Sequence, residues 1–186
     1  MDVEQEAPNF SAGVALGCAL AYALFFFFNH LLFDRLEFTH GVNWVFLPSG
    51  LRLALVLVFL GTGSMGIALA SCVINCFYYD ASLLGSVVVG IISGYAPWLA
   101  RRFSIDWVGM DPDIRQLTPM QLLQIAILFA TCSAVLHQLW FAWNSPAVDF
   151  IENTAVMVVG DLLGTLIVLF TLRLLLLWWR LARVNT

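Results

Sequence analysis

The chain of 186 residues contains no lysine, and all eight of its basic residues are arginine. Without a lysine amine the chain cannot form a Schiff base, so the covalent attachment of retinal is excluded. Charged residues make up only 11% of the sequence, whereas 61% of it is hydrophobic and the mean hydropathy is +0.91. A water-soluble globule carries more charge than this. The composition therefore predicts an integral membrane protein.

Other absences narrow the class of function. The net charge of −4 is dispersed, so no basic tract would suit nucleic acid or an acidic lipid surface. All four cysteines fall in apolar runs, where neither a disulfide framework nor a zinc cluster is expected. The sequence offers no nucleophile beside a base, no paired carboxylates and no metal-ligand box. We therefore expect a protein that is not an enzyme and that binds no metal or cofactor.

Six apolar runs are long enough to cross a bilayer, at residues 10–33, 44–60, 63–79, 82–100, 119–143 and 153–179. The second and third are close to the minimum length, and Gly61-Thr62-Gly63 predicts a tight turn between them. Thr118-Pro119-Met120-Gln121 has the residues of a capping box and marks the start of the fifth. The sequence thus predicts an all-α polytopic membrane bundle of six transmembrane helices in one domain, residues 1–186.

The arginines predict the orientation of this bundle. With both termini inside, the outer loops contain only Arg35, and the inner segments contain Arg101, Arg102, Arg115, Arg180 and Arg183. Cytoplasmic loops are enriched in arginine, so we predict a cytoplasmic N-terminus and a cytoplasmic C-terminus. The first nine residues include three acids and no basic residue, unlike a signal peptide, so we expect the first apolar run to be retained.

Arg52 in the second predicted span and Asp161 in the sixth are charges within apolar segments. Helical rise places both roughly 12 Å below the outer ends of their spans. A charge within the bilayer needs a partner, so we expect the two side chains to lie within hydrogen-bonding distance. Two interpretations remain open. The pair either fixes the register of two helices or also forms the floor of a ligand site.

Further polar side chains occupy the same outer half, namely Asn29, His30, Asn75, His137 and Gln138. Of these, we expect His30, Asn75 and His137 to line a cavity, together with Trp44 at the interface. Their convergence predicts an outward-facing pocket for a small molecule, with Arg52 as the anchor if the ligand is anionic. The alternatives that involve no ligand are an ordinary interfacial aromatic belt and histidines that only form hydrogen bonds. Ligation of a metal or a b-type haem by the two histidines is the least favoured interpretation, because no further ligand spacing supports it.

Two other features suggest contacts with protein. Ala15, Ala19 and Ala23 form a stripe of small residues on the first predicted helix, which is typical of helix–helix contact. The segment 101–118 mixes arginines with aspartates and is either a solvated connector or a docking site for a partner.

Three short segments carry a resemblance to a known family: residues 44–54, which include Pro48 and Gly50, residues 66–75, and Gly160-Asp161-Leu162-Leu163-Gly164. Together they resemble the bacterial membrane-associated sensor domain of the MASE type, which is found ahead of histidine kinases and cyclic-di-GMP enzymes. The resemblance implies a sensory or ligand-binding module in the bacterial cytoplasmic membrane that acts through a partner protein. We expect a standalone form, without an output domain.

A second resemblance leads to a different class. Six spans, internal termini, an outward-facing site and the alanine stripe are similar to substrate-binding subunits of energy-coupling-factor vitamin transporters. That resemblance implies that Ala15, Ala19 and Ala23 dock a shared coupling subunit. A third possibility, an accessory subunit of a larger membrane complex, requires no ligand.

Overall fold

The computed structural model describes residues 11–112, 117–145 and 149–184, and within these ranges it is mainly helical. The helices are α1 (Ala12–Phe33), α2 (Leu47–Phe77), α3 (Leu83–Val108), α4 (Pro119–Asn144) and α5 (Phe150–Val184). A 3-10 turn (Asp34–Leu36) and an antiparallel hairpin of β1 (Glu37–Thr39) and β2 (Val42–Asn43) connect α1 to α2. All five helices are long and apolar enough to cross a membrane, which indicates a multi-pass membrane protein.

Some of the residues used to predict the spans and the orientation lie outside the described ranges. These are the acidic N-terminal segment, Phe10 at the start of the first predicted span, and Arg115 in the segment between α3 and α4.

Local capping explains where several helices begin and end. The hydroxyl of Thr118 accepts from the backbone N–H of Gln121, and the side chain of Gln121 accepts from the backbone N–H of Thr118. The predicted capping box is therefore confirmed. Helix α3 continues past its predicted end at residue 100 to Val108, and an exposed ion pair between Arg102 and Asp106 at 2.8 Å lies within this extension. It ends at Gly109, whose φ of 72° is left-handed.

The described ranges contain five α-helices where the sequence predicts six, because the second and third predicted spans belong to α2. Leu60 interrupts α2 with φ 51° and ψ −132°. A Cβ on Gly63 would lie 2.7 Å from the carbonyl oxygen of Leu55, eight residues earlier. In a straight helix these positions are about 12 Å apart, so α2 bends sharply at Leu60.

Both ends of α2 lie at the same end of α1. The ring of Phe26 packs against Phe46, which precedes α2, and against Tyr78, which follows it. The side-chain oxygen of Asn29 on α1 accepts from the backbone N–H of Leu47 at 2.8 Å, which fixes the start of α2. The bend at Leu60 therefore brings the end of α2 back to the level of its start.

The core lies on both sides of α2. One cluster joins α2 to α3 and α4 through residues such as Leu53, Ala96 and Phe129, all of which are fully buried. Another joins α1 to α2 through Tyr22 and Ile67. Helix α5 closes the bundle by packing on α2 and α4.

Helix α5 approaches the segment before α2 so closely that two of its positions require glycine. A Cβ on Gly160 would collide with the carbonyl oxygen of Asn43, and one on Gly164 would collide with that of Phe46. The backbone N–H of Phe46 donates to the carbonyl of Gly160 at 3.1 Å. Gly50 is equally crowded, since its Cβ would lie 2.6 Å from Cβ of Val168. This contact places Asp161, next to Gly160, against the first turns of α2.

Pro48 occupies the first turn of α2 and is fully buried. Its missing N–H costs nothing there, because the first turn of a helix has no internal acceptor for it.

Candidate ligand-binding site

The centre of the candidate site is an ion pair between Arg52 on α2 and Asp161 on α5. Nη2 of Arg52 lies 3.2 Å from Oδ2 of Asp161 and 3.3 Å from Oδ1. Each residue is only 1% exposed. The contact expected between these two side chains is therefore present. Each charge would be costly within a bilayer, and the ion pair compensates both.

Other groups complete the surroundings of the guanidinium. Nη2 also donates to the hydroxyl of Ser133 on α4 at 3.4 Å. The guanidinium carbon lies 5.2 Å from the ring centroid of Phe129 and 5.7 Å from that of Phe46, within range of a cation–π interaction. Nε of Arg52 has no partner among the described residues.

A chain of hydrogen bonds runs beside this pair. Nδ1 of His137 donates to the Ser133 carbonyl at 2.8 Å, which leaves Nε2 to accept from the hydroxyl of Ser93 at 3.2 Å. The Ser71 hydroxyl donates to Ser93 at 3.0 Å, and the amide of Asn75 donates to the Ser71 carbonyl at 2.8 Å. The chain therefore connects α2, α3 and α4, and it runs from Asn75 towards the backbone beside Arg52.

Two adjoining cavities lie along this polar set. We call the larger, of about 450 Å³, the vestibule; it is lined by Thr39, His40, Gly41, Val42, Asn75, Tyr79, Ala81, Ser82, Gly85, Val89, Gln138, Trp140, Phe141, Asn144, Ser145 and Asn153. We call the smaller, of about 60 Å³, the recess; it is lined by Tyr22, Phe26, Gly41, Phe46, Arg52, Ser71, Ile74, Asn75, Tyr79, Val89, Ser93, His137, Phe141 and Met157.

The recess extends the vestibule down to the ion pair. The two cavities share five lining residues, namely Gly41, Asn75, Tyr79, Val89 and Phe141. The vestibule has the volume of a small-molecule site, whereas the recess has room for only a few atoms.

Tyr79, which follows the end of α2, lines both cavities. Burial raises the pKa of Tyr79, and the negative charge of Glu37 raises it further. The hydroxyl therefore stays neutral at physiological pH and can both donate and accept a hydrogen bond.

Three of the predicted site residues line neither cavity, namely Asp161, which contacts Arg52, and His30 and Trp44. His30 is partly exposed on α1, where Nε2 lies 2.7 Å from the Tyr78 hydroxyl and Nδ1 lies 3.3 Å from Asp34. Trp44 is exposed and packs its ring edge-on against Phe38. The side chains of His30 and Trp44 are therefore directed away from the two cavities, and Trp44 precedes α2 instead of lying on a helix.

The two histidines are not placed to share a metal ion, because His137 lines the recess and His30 does not. In the described part of the chain, no three side chains of His, Cys, Asp or Glu are grouped as metal ligands.

Sequence reasoning did not select several residues that build the site. Ser133 and His137 are four residues apart on α4, a spacing that places them on one helix face and could have identified Ser133. Gln138, fully buried, contributes to the vestibule, and Ser93 contributes to the recess. Phe129 gives no sequence signal, since a phenylalanine in an apolar helix is unremarkable.

Ala15, one residue of the alanine stripe on α1, packs against the chain's own second helix, which corrects its interpretation as part of a free docking surface. Ala15 is only 4% exposed, and a Cβ on Gly66 would collide with its carbonyl oxygen. Ala19 and Ala23 are half-buried and line a shallow apolar groove between α1 and α2. The small side chains thus allow α1 and α2 to pack closely.

Comparison of the chain with protein-family models, with curated proteins and with solved structures found no match.

Proposed function

We propose that the protein is an integral membrane sensory or ligand-binding module that takes a small molecule into the vestibule and acts through a partner protein. The observation that carries this proposal is the continuity of the vestibule with the recess, so that one space extends from the helix ends to Arg52. Pockets of this size with a few polar groups in an aromatic wall are typical of small-molecule sites. The lining supports binding rather than catalysis.

The proposal includes six crossings and two cytoplasmic termini. The two arms of α2, residues 47–59 and 61–77, are the second and third spans, and the bend at Leu60 is the inner turn between them. The packing of Phe26 on Phe46 and Tyr78 supports this topology. The vestibule then opens on the outer side.

Arg173 on α5 also fits this topology. Its side chain is exposed, and it lies about 35 Å along α5 from the first residue of that helix, which is more than the thickness of the hydrocarbon core. Arg173 therefore belongs to the inner interface. There it adds to the excess of cytoplasmic arginine.

The membrane that we propose is the bacterial cytoplasmic membrane, with lipid as the surroundings of the exposed apolar side chains. The sparse charge on the chain does not favour a nucleic acid partner. Of the segments 44–54, 66–75 and 160–164, which carry the resemblance to membrane-associated sensor domains, the first contains Arg52 and the last contains Asp161. The segment 66–75 contributes Ser71, Ile74 and Asn75 to the recess. A partner with a signalling output fits such a module.

One observation favours a second candidate, the substrate-binding subunit of an energy-coupling-factor transporter. The apolar groove between α1 and α2 is lined by Ala19, Ala23 and Phe77, and a helix of a coupling subunit could occupy it. An accessory subunit of a larger complex is the third candidate, and it requires no ligand.

Native mass spectrometry of the protein extracted from its own membrane tests the binding function. We expect a bound small molecule in the wild type and its loss in Val89→Phe, because Val89 lines both cavities. Val87→Phe is the matched control, since Val87 is exposed on the same helix. Absence of any bound molecule, or equal retention by both variants, would contradict the proposal.

Co-purification distinguishes the candidates by partner. A histidine kinase or a cyclic-di-GMP enzyme in the purified complex supports the sensory module. A membrane coupling subunit with two ATPases supports the transporter subunit instead. A stable complex without a bound small molecule supports the accessory subunit.

A further inference from the structure

Gln138 is a fully buried side chain whose hydrogen bonds are incomplete. It lines the vestibule from α4, and its Nε2 donates to the sulfur of Met157 at 3.5 Å, a weak acceptor. Its Oε1 has no partner in the described part of the chain. Buried amide oxygens normally accept a hydrogen bond, so we infer that a molecule in the vestibule donates one to this oxygen.

Among the residues that the structure describes, no formally charged side chain lines the vestibule. None of the sixteen residues that line it is Asp, Glu, Lys or Arg, and His40 is its one imidazole. Its polar groups are amides and hydroxyls, such as those of Asn75, Asn153 and Tyr79, set among Trp140 and Phe141. Such a wall cannot offset the desolvation of an ionic ligand, but it can satisfy a neutral molecule that forms hydrogen bonds.

The charges of Arg52, Asp161 and Glu37 do not favour an anion in the two cavities. The guanidinium of Arg52 is already paired with Asp161. A ligand carboxylate that displaced Asp161 would leave a buried aspartate unpaired. At the mouth, the carboxylate of Glu37 accepts from the backbone N–H of Gly41 at 2.9 Å, and its negative charge would repel an anion.

We propose that the vestibule selects an uncharged small molecule that donates a hydrogen bond to Oε1 of Gln138, and that the Arg52–Asp161 pair is a neutral floor. This inference rests on the proposed function, since it assigns a ligand class to the same cavity. It makes Gln138 a residue that determines specificity. It also decides between the two interpretations of the ion pair in favour of the structural one.

The test compares two nearly isosteric alkylating probes, iodoacetamide, which is neutral and has N–H donors, and iodoacetate, which is an anion. Both are applied to a Val89→Cys variant in which the four native cysteines are replaced by alanine. A Ser145→Cys variant, with the thiol at the exposed rim, gives the reference rate for each probe. We expect the normalised rate at position 89 to be about tenfold higher for iodoacetamide, because the anion must be desolvated.

The outcomes separate this inference from the proposed function. Normalised rates that are equal, or faster for iodoacetate, would overturn the uncharged ligand class and make Arg52 an anion anchor, while the binding function would stand. If neither probe reacts at position 89 although both react at position 145, the vestibule is closed and both proposals fail.

Variants of Gln138 test its role in recognition. Gln138→Leu removes the acceptor, so we expect the iodoacetamide rate at position 89 to fall by about threefold or more, with an unchanged rate at position 145. Gln138→Glu keeps an acceptor and adds a negative charge, so the iodoacetamide rate should persist while the iodoacetate rate falls further. An unchanged iodoacetamide rate in Gln138→Leu would overturn the assignment to Gln138.

Discussion

Two polar clusters lie at the same end of the bundle, and they differ in what surrounds them. The floor cluster consists of Arg52, Asp161 and Ser133, and both of its charged residues are 1% exposed. The rim cluster consists of His30, Asp34 and Tyr78, and its ionisable side chains are 40% and 62% exposed. Water can replace every hydrogen bond of the rim cluster but none in the floor cluster.

This difference makes the energetic consequences of the two clusters unequal. Breaking an enclosed pair strands a charge in an apolar interior, whereas breaking an exposed pair returns both groups to solvent. Depth along a helix, which sequence reasoning estimated for both clusters, does not distinguish them. The direction of each side chain around its helix does.

The largest effect is expected when one member of the floor pair is removed. Asp161→Leu leaves the guanidinium of Arg52 buried with Ser133 and two aromatic rings as its remaining partners. We expect the free energy of unfolding to fall by about 3–5 kcal/mol. Titration with SDS in mixed micelles measures it.

The double variant Arg52→Leu/Asp161→Leu is the control for this prediction. It removes both charges and leaves an apolar contact, so we expect it to recover most of the stability lost by Asp161→Leu. A double variant as unstable as the single one would show that the pair does not act as a unit.

The next largest effect concerns the close contact that positions the floor cluster. Gly164→Ala places a methyl group against the carbonyl oxygen of Phe46, which is backbone and cannot rotate away. Overpacking of this kind costs about 1–3 kcal/mol in stability. Thermal unfolding in detergent should detect a lower midpoint.

Gly17→Ala provides the matched control on α1, because nothing lies within 4 Å of a Cβ at that position. There the substitution should be neutral or should stabilise by up to about 1 kcal/mol, since alanine is the better helix former. Equal destabilisation by the two substitutions would contradict the assigned contact.

The sequence carried enough information to predict the helical class and most of the helix bounds. Long apolar runs between capping residues such as Thr118 and Ser82 locate helices directly, because backbone polar groups must be satisfied internally in lipid. The end of α3 was less predictable, because the helix continues beyond the apolar run into a polar segment and ends only at Gly109. The relation between the arms of α2 depends on the backbone of a single residue, Leu60, and leucine has no preference for positive φ.

A smaller effect is expected where the floor cluster is joined to the backbone. The hydroxyl of Ser49 lies 2.7 Å from the carbonyl oxygens of both Phe46 and Asp161. Ser49→Ala should lower the free energy of unfolding by about 1 kcal/mol, because Thr165 still donates to the Asp161 carbonyl. The same SDS titration applies.

Thr171→Ala is a suitable reference for that substitution. Its hydroxyl donates to the carbonyl of Ile167 within the same helix, and the residue is exposed. We expect no measurable change. If Ser49→Ala also leaves the free energy of unfolding unchanged, the hydrogen bond from Ser49 to the Asp161 carbonyl contributes nothing to the position of Asp161.

The site was predictable only in part, for a reason that the two clusters illustrate. A charge in an apolar run demands a partner, so Arg52 and Asp161 could be paired from sequence. Neutral polar residues make no such demand, because Ser133, Ser93 and Gln138 can bond within a helix or face a neighbour equally well. Their places in the site depend on helix rotation, which the weak amphipathicity of these helices does not specify.

The smallest effect is expected in the rim cluster. His30→Ala removes an imidazole that contacts the Tyr78 hydroxyl and Asp34, but both of those groups are exposed and can bond to water instead. Exposed pairs contribute at most about 1 kcal/mol, so the free energy of unfolding should change by less than that. Because His30 lines neither cavity, native mass spectrometry should also find the bound molecule retained at the wild-type level.

Tyr78→Phe should behave in the same way, since it removes the other half of the same bond. A loss of binding in both variants would mean that the rim cluster belongs to the site, and the distinction between an enclosed floor and an exposed rim would fail.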